Sequence, residues 1–455
     1  MANQTDEILL RRLCAEILVE TTRRQEFGNT ILKEVLDKYN YLEGNKKAFI
    51  KKLSMGCLER KIQLDYIIDL YSKTPVKKMK PVVLAILETG VYQILFMDQV
   101  YDTTACNAAV SLAKKKGLAN LSGFINAVLR KVCAEKEHIP YPDKEEDFTG
   151  YLSVYYSMPS WIVEQWIAQY GAARAEEMLS GLMAETKVFL RIKESLSEGE
   201  KEALKEKWRN AGVTVTESTL LPYACEVKGT DRISSLAGFE EGLFTVQDLS
   251  SMLVCECAGI KAGDHIIDVC AAPGGKTLHA AEKLQGSGRV DSFDLTEHKV
   301  ERIRENIARM GYENVFCDVK DATVFYEELE NTADVLLADV PCSGMGVMGR
   351  KQDIRYNLSK EQTEELVKLQ QQILTNVSRY VKPGGRMVFS TCTINRKEND
   401  ENGKWIEENL PFTRADIGEY LPKGLEEYCH DGMLQLYRGK LSCDGFFIAV
   451  FEKNR

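Results

Sequence analysis

Two short segments carry the residues best equipped for covalent chemistry: Asp339-Val340-Pro341-Cys342-Ser343-Gly344 and Ser390-Thr391-Cys392-Thr393. Each cysteine stands just past an apolar run of the kind that forms a buried strand. A thiolate is a potent nucleophile at neutral pH, and two thiols at neighbouring strand tips can divide bond formation from proton transfer. The ordinary role of a cysteine is that of a small buried hydrophobe. That role is assigned to Cys14, Cys57, Cys106, Cys133, Cys225, Cys255, Cys257, Cys317, Cys429 and Cys443, and to Cys270 as packing within its turn.

A third segment, Cys270-Ala271-Ala272-Pro273-Gly274-Gly275-Lys276-Thr277, follows a strand ending at Asp268 and runs into a helix. Adjacent glycines let backbone approach a ligand, and the helix N-terminus offers free N–H donors. A glycine-rich βα turn alone suits a dinucleotide fold or a tight connection equally, and this one matches neither the GxGxxG nor the P-loop spacing. Its company is more telling. Asp294 closes the second strand, where an acid can accept hydrogen bonds from both ribose hydroxyls of a nucleoside. Asp321 follows the third strand and Asp339 ends the fourth. Each acid alone reads as a cap or turn residue; four successive strand ends bearing polar groups form a pattern.

The elements that must position these residues alternate strictly after Gly242: HIIDVCAAP, a helix from Lys276, RVDSFDL, a helix over TEHKVERIRENIARM, VFCDV, ADVLLADVP, a helix opened by Ser359-x-x-Gln362, and GGRMVFSTCT. Alternation of helices with near-continuous apolar strands predicts a parallel sheet covered on both faces, with ligands at the carboxyl ends of the strands. MLQLYRG and GFFIAVFEK predict an antiparallel hairpin at its edge. Residues 6–137 read as helices throughout. IPYPDKEEDF reads as a linker. Between them and the catalytic part lies a small α+β stretch: the helix PSWIVEQWIAQYG, the strand VFLRIK, a Ser197-x-x-Glu200 capping box, and the strands VTVTES and YACEVKG. Trp161 and Trp166 are five apart, so at least one is expected to pack at a seam with the next domain rather than on a base. The expected domains are 1–140, all-α; 141–241, small α+β; and 242–455, α/β.

The chain has 455 residues, too many for one ordinary domain, and its net charge of −9 is unevenly spread. Residues 1–140 hold 22 Lys+Arg against 16 Asp+Glu, which leaves the acidic excess in the remainder. A basic front segment points to a polyanion partner or to solvated helix faces. Lys114, Lys115 and Lys116 with Arg130 and Lys131 form a candidate phosphate-contacting patch. Thirteen irregularly spaced cysteines predict reduced thiols and no structural zinc site. The N-terminus lacks a signal-peptide pattern and no window suits a membrane span. A cytoplasmic, soluble protein with no membrane partner is expected.

CAAPGGKT, DVPCSG and STCT, in this order, resemble the RNA cytosine-5 methyltransferases of the NOL/NOP2/Sun family. The stretch Leu84–Leu129, with VYQILF and FINAVLRK, resembles the NusB family of helical RNA-binding domains, which narrows the likeness to the bacterial RsmB (Sun, Fmu) type that methylates 16S ribosomal RNA. The resemblance covers nearly the whole chain. It implies a NusB-like domain, a small α+β domain resembling RNA-recognition folds, and a Rossmann-like S-adenosylmethionine-dependent methyltransferase domain. It gives the nucleophile role to Cys392 and the release role to Cys342, and places Asp339 and Lys276 on the cytosine N3/N4 edge. S-adenosylmethionine would lie along Cys270, Ala271, Ala272, Pro273, Gly274, Gly275 and Lys276, with Asp294 on the ribose, Asp321 near the adenine and Asp339 alongside; no metal is implied. Arg350, Lys351 and Arg355 are expected to face backbone phosphates. The implied partner is RNA, either 16S ribosomal RNA or a small-subunit assembly intermediate.

Three other readings compete. The same chemistry could serve transfer RNA or another ribosomal position. A non-catalytic antitermination factor should have lost its thiols or cofactor acids, yet Asp294, Asp321, Asp339, Cys342 and Cys392 are all present. A Rossmann dehydrogenase would leave both cysteines without a role.

Overall fold

The computed structural model describes residues 2–24, 26–230 and 232–455 and divides into two compact units. The first takes residues 1–183 and also residues 350–357; the second takes 184–349 and 358–455.

The first unit is helical, as its 3.6-residue apolar periodicity requires. Its centre is the helix Pro81–Phe96, whose side chains from Ala85 to Ile94 are all buried. A helix apolar all round can exist only if its neighbours wrap it, and helices Ala2–Arg24, Gly44–Glu59, Lys61–Tyr71, Asp102–Lys115 and Ser122–Glu135 pack on it. Helices Phe148–Tyr155, Ser160–Tyr170 and Ala172–Met183 complete this unit. They lie past the expected boundary at 140 yet belong to the helical unit; Tyr66 and Tyr141 stack at 6.3 Å and Tyr66 Oη donates to the Pro140 carbonyl, fastening the expected linker to the bundle. Trp166 is fully buried, and Trp161 is half-buried.

The second unit contains two sheets. The smaller has strands β1 (Val188–Ile192), β2 (Thr214–Glu217), β3 (Ala224–Lys228) and β4 (Phe244–Val246) in the order β2-β3-β1-β4, all antiparallel. Leu204 and Trp208 of the helix Glu198–Asn210 bury against it, and the Ser197/Glu200 capping box is present. β4 lies past the expected boundary at 241. At three residues it is too short to show alternation, and only its pairing with β1 reveals it.

The larger sheet has β5 (His265–Asp268), β6 (Arg289–Asp294), β7 (Val315–Val319), β8 (Ala333–Asp339), β9 (Val381–Thr391), β10 (Phe412–Arg414), β11 (Cys429–His430), β12 (Met433–Leu436) and β13 (Phe446–Lys453). Their order is β11-β12-β13-β9-β8-β5-β6-β7, with β10 on β13. β5 through β9 are parallel, while β13 runs antiparallel to both β9 and β12, which gives the expected hairpin. The chain leaves β5 toward β6 and β7 on one side and fills β8 and β9 on the other. Ligands of such sheets lie outside the strand carboxyl ends at this reversal.

Candidate active site at the strand ends

β5 delivers Asp268, wholly buried, whose Oδ2 accepts from Thr277 Oγ1 at 2.7 Å. Burial, helped by the charges of Asp339 and Asp294, pushes its carboxyl up to about 7 against the pull of Thr277 and Lys276. After Asp268 the chain must turn sharply into the helix Gly275–Lys283. Gly274 makes the turn at φ 101°, a left-handed conformation that disfavours a side chain.

Asp294, at the end of β6 and only 4% exposed, reaches back to this turn. Its Oδ2 accepts from Ala272 N at 3.0 Å, and its Oδ1 accepts from Leu295 N at 2.8 Å and Lys299 Nζ at 2.9 Å. Asp321 lies half-buried in the loop after β7, with Oδ1 accepting from the Thr323 N–H at 2.8 Å and hydroxyl at 2.7 Å. That loop sets it in an Asx turn.

Asp339, closing β8, accepts from Lys276 Nζ at 2.6 Å through Oδ2 and from Ser390 Oγ at 3.0 Å through Oδ1. Lys276 also lies 5.2 Å from the centre of the Phe446 ring. Burial alone would lower the pKa of Lys276, but the Asp339 carboxylate outweighs it and leaves the pKa raised; Cys392 is also within electrostatic reach. Cys342 and Cys392 stand with their sulfurs 3.3 Å apart, both half-buried. The hydrogen bond with Cys392 and burial push the Cys342 thiol well up. Cys270 is likewise pushed up by burial, as suits a packing residue.

The structure thus gathers Lys276, Asp339, Cys342 and Cys392 into one place and ties Asp294 to the Cys270–Lys276 turn. Arg355 departs from expectation. It is 0% exposed and belongs to the first unit, where its Nη1 donates to the carbonyl of Glu59 at 3.4 Å and of Ser157 at 3.2 Å. Glu59 ends one helix and Ser157 follows another, so the guanidinium satisfies carbonyls that a helix end leaves unpaired. It cannot face a phosphate. Lys351 is exposed and Arg350 half-buried.

Three features escaped the reading of the sequence. Ser390 holds Asp339, and its only signal is its place on the last strand turn before Cys392. Glu398 sits between the two cysteine loops, yet its surroundings, TINRKEND, look like a solvated run. Lys73, Lys77, Lys78 and Lys80 are exposed in the first unit, and none has a carboxylate within 4.0 Å among the described residues; their signal was an acid-free stretch, YSKTPVKKMKP. Of the expected patch, Lys116 pairs with Glu16 at 2.6 Å, whereas Lys114, Lys115, Arg130 and Lys131 are exposed without such partners among the described residues. One cluster, Glu194, Glu256 and His279, brings possible metal ligands within 4.8 Å. The Lys283 ammonium, 2.8 Å from both carboxylates, already supplies the cation there.

A parallel core reversing at β5, with a glycine turn and acids at its strand tips, is the fold of S-adenosylmethionine-dependent methyltransferases. The crystal structure of PH0851 shares it across 98% of this chain and 99% of its own, with a TM-score of 0.79 at 24% identity. The structure of NSun6 from Pyrococcus horikoshii with SFG shares it over 65% of this chain, with a TM-score of 0.57 at 20% identity. The family described as 16S rRNA methyltransferase RsmB/F matches residues 258–452, and the NusB family matches residues 9–134. A probable ribosomal RNA small subunit methyltransferase B of Bacillus subtilis is 33% identical over 98% of both chains. Its counterpart in Synechocystis is 31% identical over 98% of this chain and all of its own. The chain belongs to the ribosomal RNA small subunit methyltransferase B/F family, with a NusB domain at its front.

Proposed function

We propose that this enzyme methylates C5 of a cytosine in 16S ribosomal RNA through a covalent bond between Cys392 and C6 of the base. The observation that carries the reading is the thiol pair, 3.3 Å apart, beside the Lys276–Asp339 ion pair. The 16S target is supported by the names of the relatives and by the NusB domain.

The strand-end residues suit S-adenosylmethionine. Gly274 and the helix N-terminus leave open backbone, and Asp294 keeps one lone-pair site, on Oδ2, beyond those given to Ala272, Leu295 and Lys299. The turn Cys270–Lys276 and Asp294 would hold it, with Asp321 toward the adenine. Bound there, it supplies an electrophilic methyl group on a sulfonium.

Cytosine C5 is a poor nucleophile, and addition of a thiolate to C6 converts the ring to an enamine. The hydrogen bond with Cys392 and burial hold the proton on Cys342, which leaves Cys392 as the thiol that this mechanism takes as nucleophile. As C6 is attacked, negative charge builds toward N3, where the Lys276 ammonium, held by Asp339, can donate a hydrogen bond. Bonding to carbon turns Cys392 into a neutral thioether. That removes the largest cause raising Cys342, whose thiol can then ionise to solvent and take the C5 proton; the C5–H electrons form C5=C6, and the C6–S pair leaves with Cys392 as its thiolate. The target base must first leave its stack. The lysines at 73–80 and the basic side chains at 114, 115, 130 and 131 supply phosphate contacts on the first unit.

The test is a pair of substitutions. Cys392→Ala should abolish methyl transfer and leave cofactor affinity within a few-fold. Cys342→Ala should accumulate a cofactor-dependent protein–RNA band on denaturing gels, and that band should vanish in the Cys342→Ala/Cys392→Ala double variant. Full turnover by Cys392→Ala would overturn the mechanism.

A further inference from the structure

The geometry assigns Glu398 as the positioning residue that holds the two catalytic thiols at their separation. Only the role of the thiols rests on the function proposed above; the clamp itself rests on hydrogen bonds. Glu398 is 0% exposed, and no Lys, Arg or His nitrogen lies within 4.0 Å of its carboxylate among the described residues. A buried carboxylate without a counter-ion needs several donors, and this one has four. Its Oε2 accepts from Ser343 N at 2.8 Å and Gln370 Nε2 at 3.0 Å; its Oε1 accepts from the Ser343 hydroxyl and from Asn395 Nδ2 at 3.0 Å.

Two of those donors belong to the residue after Cys342, and a third lies three residues after Cys392. Because the Ser343 proton is committed to Glu398, the 2.7 Å contact between Ser343 Oγ and Thr393 Oγ1 must have Thr393 donating. The residues following the two cysteines are thereby joined in one directed chain ending on the carboxylate. Gln370 extends the clamp by also donating to the Pro341 carbonyl at 2.9 Å. On the far side, Gly346 N donates to the Cys392 carbonyl at 3.1 Å, and a Cβ at Gly346 would collide with the Gly445 carbonyl. The two cysteine loops are therefore fastened to each other as well as to their strands. Glu398 hydrogen-bonds neither sulfur, and its charge adds to the causes that raise the Cys342 thiol.

Glutamine at 398 is nearly isosteric but has one acceptor oxygen, so its amide NH2 must face two of the four donors. Gln370 cannot turn to compensate, since its Oε1 already accepts from Asn402 at 2.8 Å. The probe is phenylarsine oxide, which condenses with two adjacent thiols and releases one water, together with peptide mapping to read the Cys342–Cys392 bridge. Cys106→Ser is carried in the background, because Cys106 and Cys133 lie 3.8 Å apart. Glu398→Gln should weaken arsenical capture at Cys342/Cys392 by about tenfold or more and lower kcat by a similar factor, as expected from losing a charge-assisted hydrogen bond. KM for S-adenosylmethionine should stay within twofold. Should Glu398→Gln fail to fold, Ser343→Ala, which breaks the same chain from the other end, should show the same two losses. A folded variant with arsenical capture unchanged overturns the assignment whether or not kcat falls. Capture does not depend on methylation, so an error about the covalent mechanism would leave this readout intact.

Discussion

Asp294 offers a sharp test of the cofactor site, because its existing partners fix what a substitution can do. Each carboxylate oxygen already accepts one backbone N–H: Ala272 on Oδ2 and Leu295 on Oδ1. Asparagine has a single acceptor oxygen, so either rotamer sets an NH2 against one of these donors. If the amide oxygen stays on Leu295, the Ala272 N–H at the cofactor turn loses its acceptor; if it stays on Ala272, the Leu295 N–H loses its own. The negative charge available to ribose hydroxyls is lost in both. One hydrogen bond to a charged acceptor contributes about 1.5–3 kcal/mol, which corresponds to about 10- to 150-fold in dissociation constant. Titration calorimetry of Asp294→Asn with S-adenosylmethionine should fall in that range, and Asp294→Ala should match or exceed it. Lys299→Met provides a calibration. It removes only the exposed partner of Oδ1, whose side chain is 52% exposed, and should shift affinity by less than threefold, in keeping with about 0–1 kcal/mol for exposed pairs. Affinity within twofold of wild type for Asp294→Asn, in a protein of unchanged melting temperature, would remove Asp294 from the cofactor site.

Asp268→Asn should change how stability depends on pH: a buried carboxyl raised from 3.8 to about 7 binds its proton more tightly folded than unfolded, so wild type loses stability as pH rises between those values. The variant should gain on wild type by up to about 4 kcal/mol between pH 4 and pH 7.5, and a constant melting difference across that range would refute it. Arg355→Ala should destabilise the first unit by about 2–4 kcal/mol, because buried carbonyls lose a charged donor; chemical denaturation would show it, and a change under 0.5 kcal/mol on the same scale would count against the capping role. Replacing Lys73, Lys77, Lys78 and Lys80 together by Gln should flatten the log–log salt dependence of RNA affinity by about 3 units if all four touch phosphate. An unchanged slope in fluorescence anisotropy would make them a solubilising surface.

The catalytic sheet was legible because β5, β8 and the end of β9 are apolar runs that stop at a polar residue and because β6 closes on an acid. Asp294, Asp339 and Cys392 could therefore be placed at strand tips from spacing alone. The Lys276–Asp339 pair was also within reach, since both residues belong to segments with a family likeness. Glu398 was not. An acid in a polar run reads as solvated, and its burial depends on Ser343 and Gln370, donors from segments far away in the chain. Arg355 was misread for the converse reason: a basic residue after a loop usually points outward, and nothing local reveals the helix-end carbonyls of Glu59 and Ser157. β4 was hidden by its length, because three residues carry no period.

Residues 350–357 also set a timetable for synthesis. They complete the first unit, yet residues 184–349 must leave the ribosome before them. At about 5–20 residues per second, the nascent helical unit waits on the order of 10–30 s for its last segment. During that interval the Glu59 and Ser157 carbonyls lack their guanidinium donor, and the amide of Gly28, which Asp353 later accepts, lacks its carboxylate. The helical unit is therefore sealed only after the strands β5 through β8 have emerged, so the last step in building the front of this protein is taken by a segment from its back.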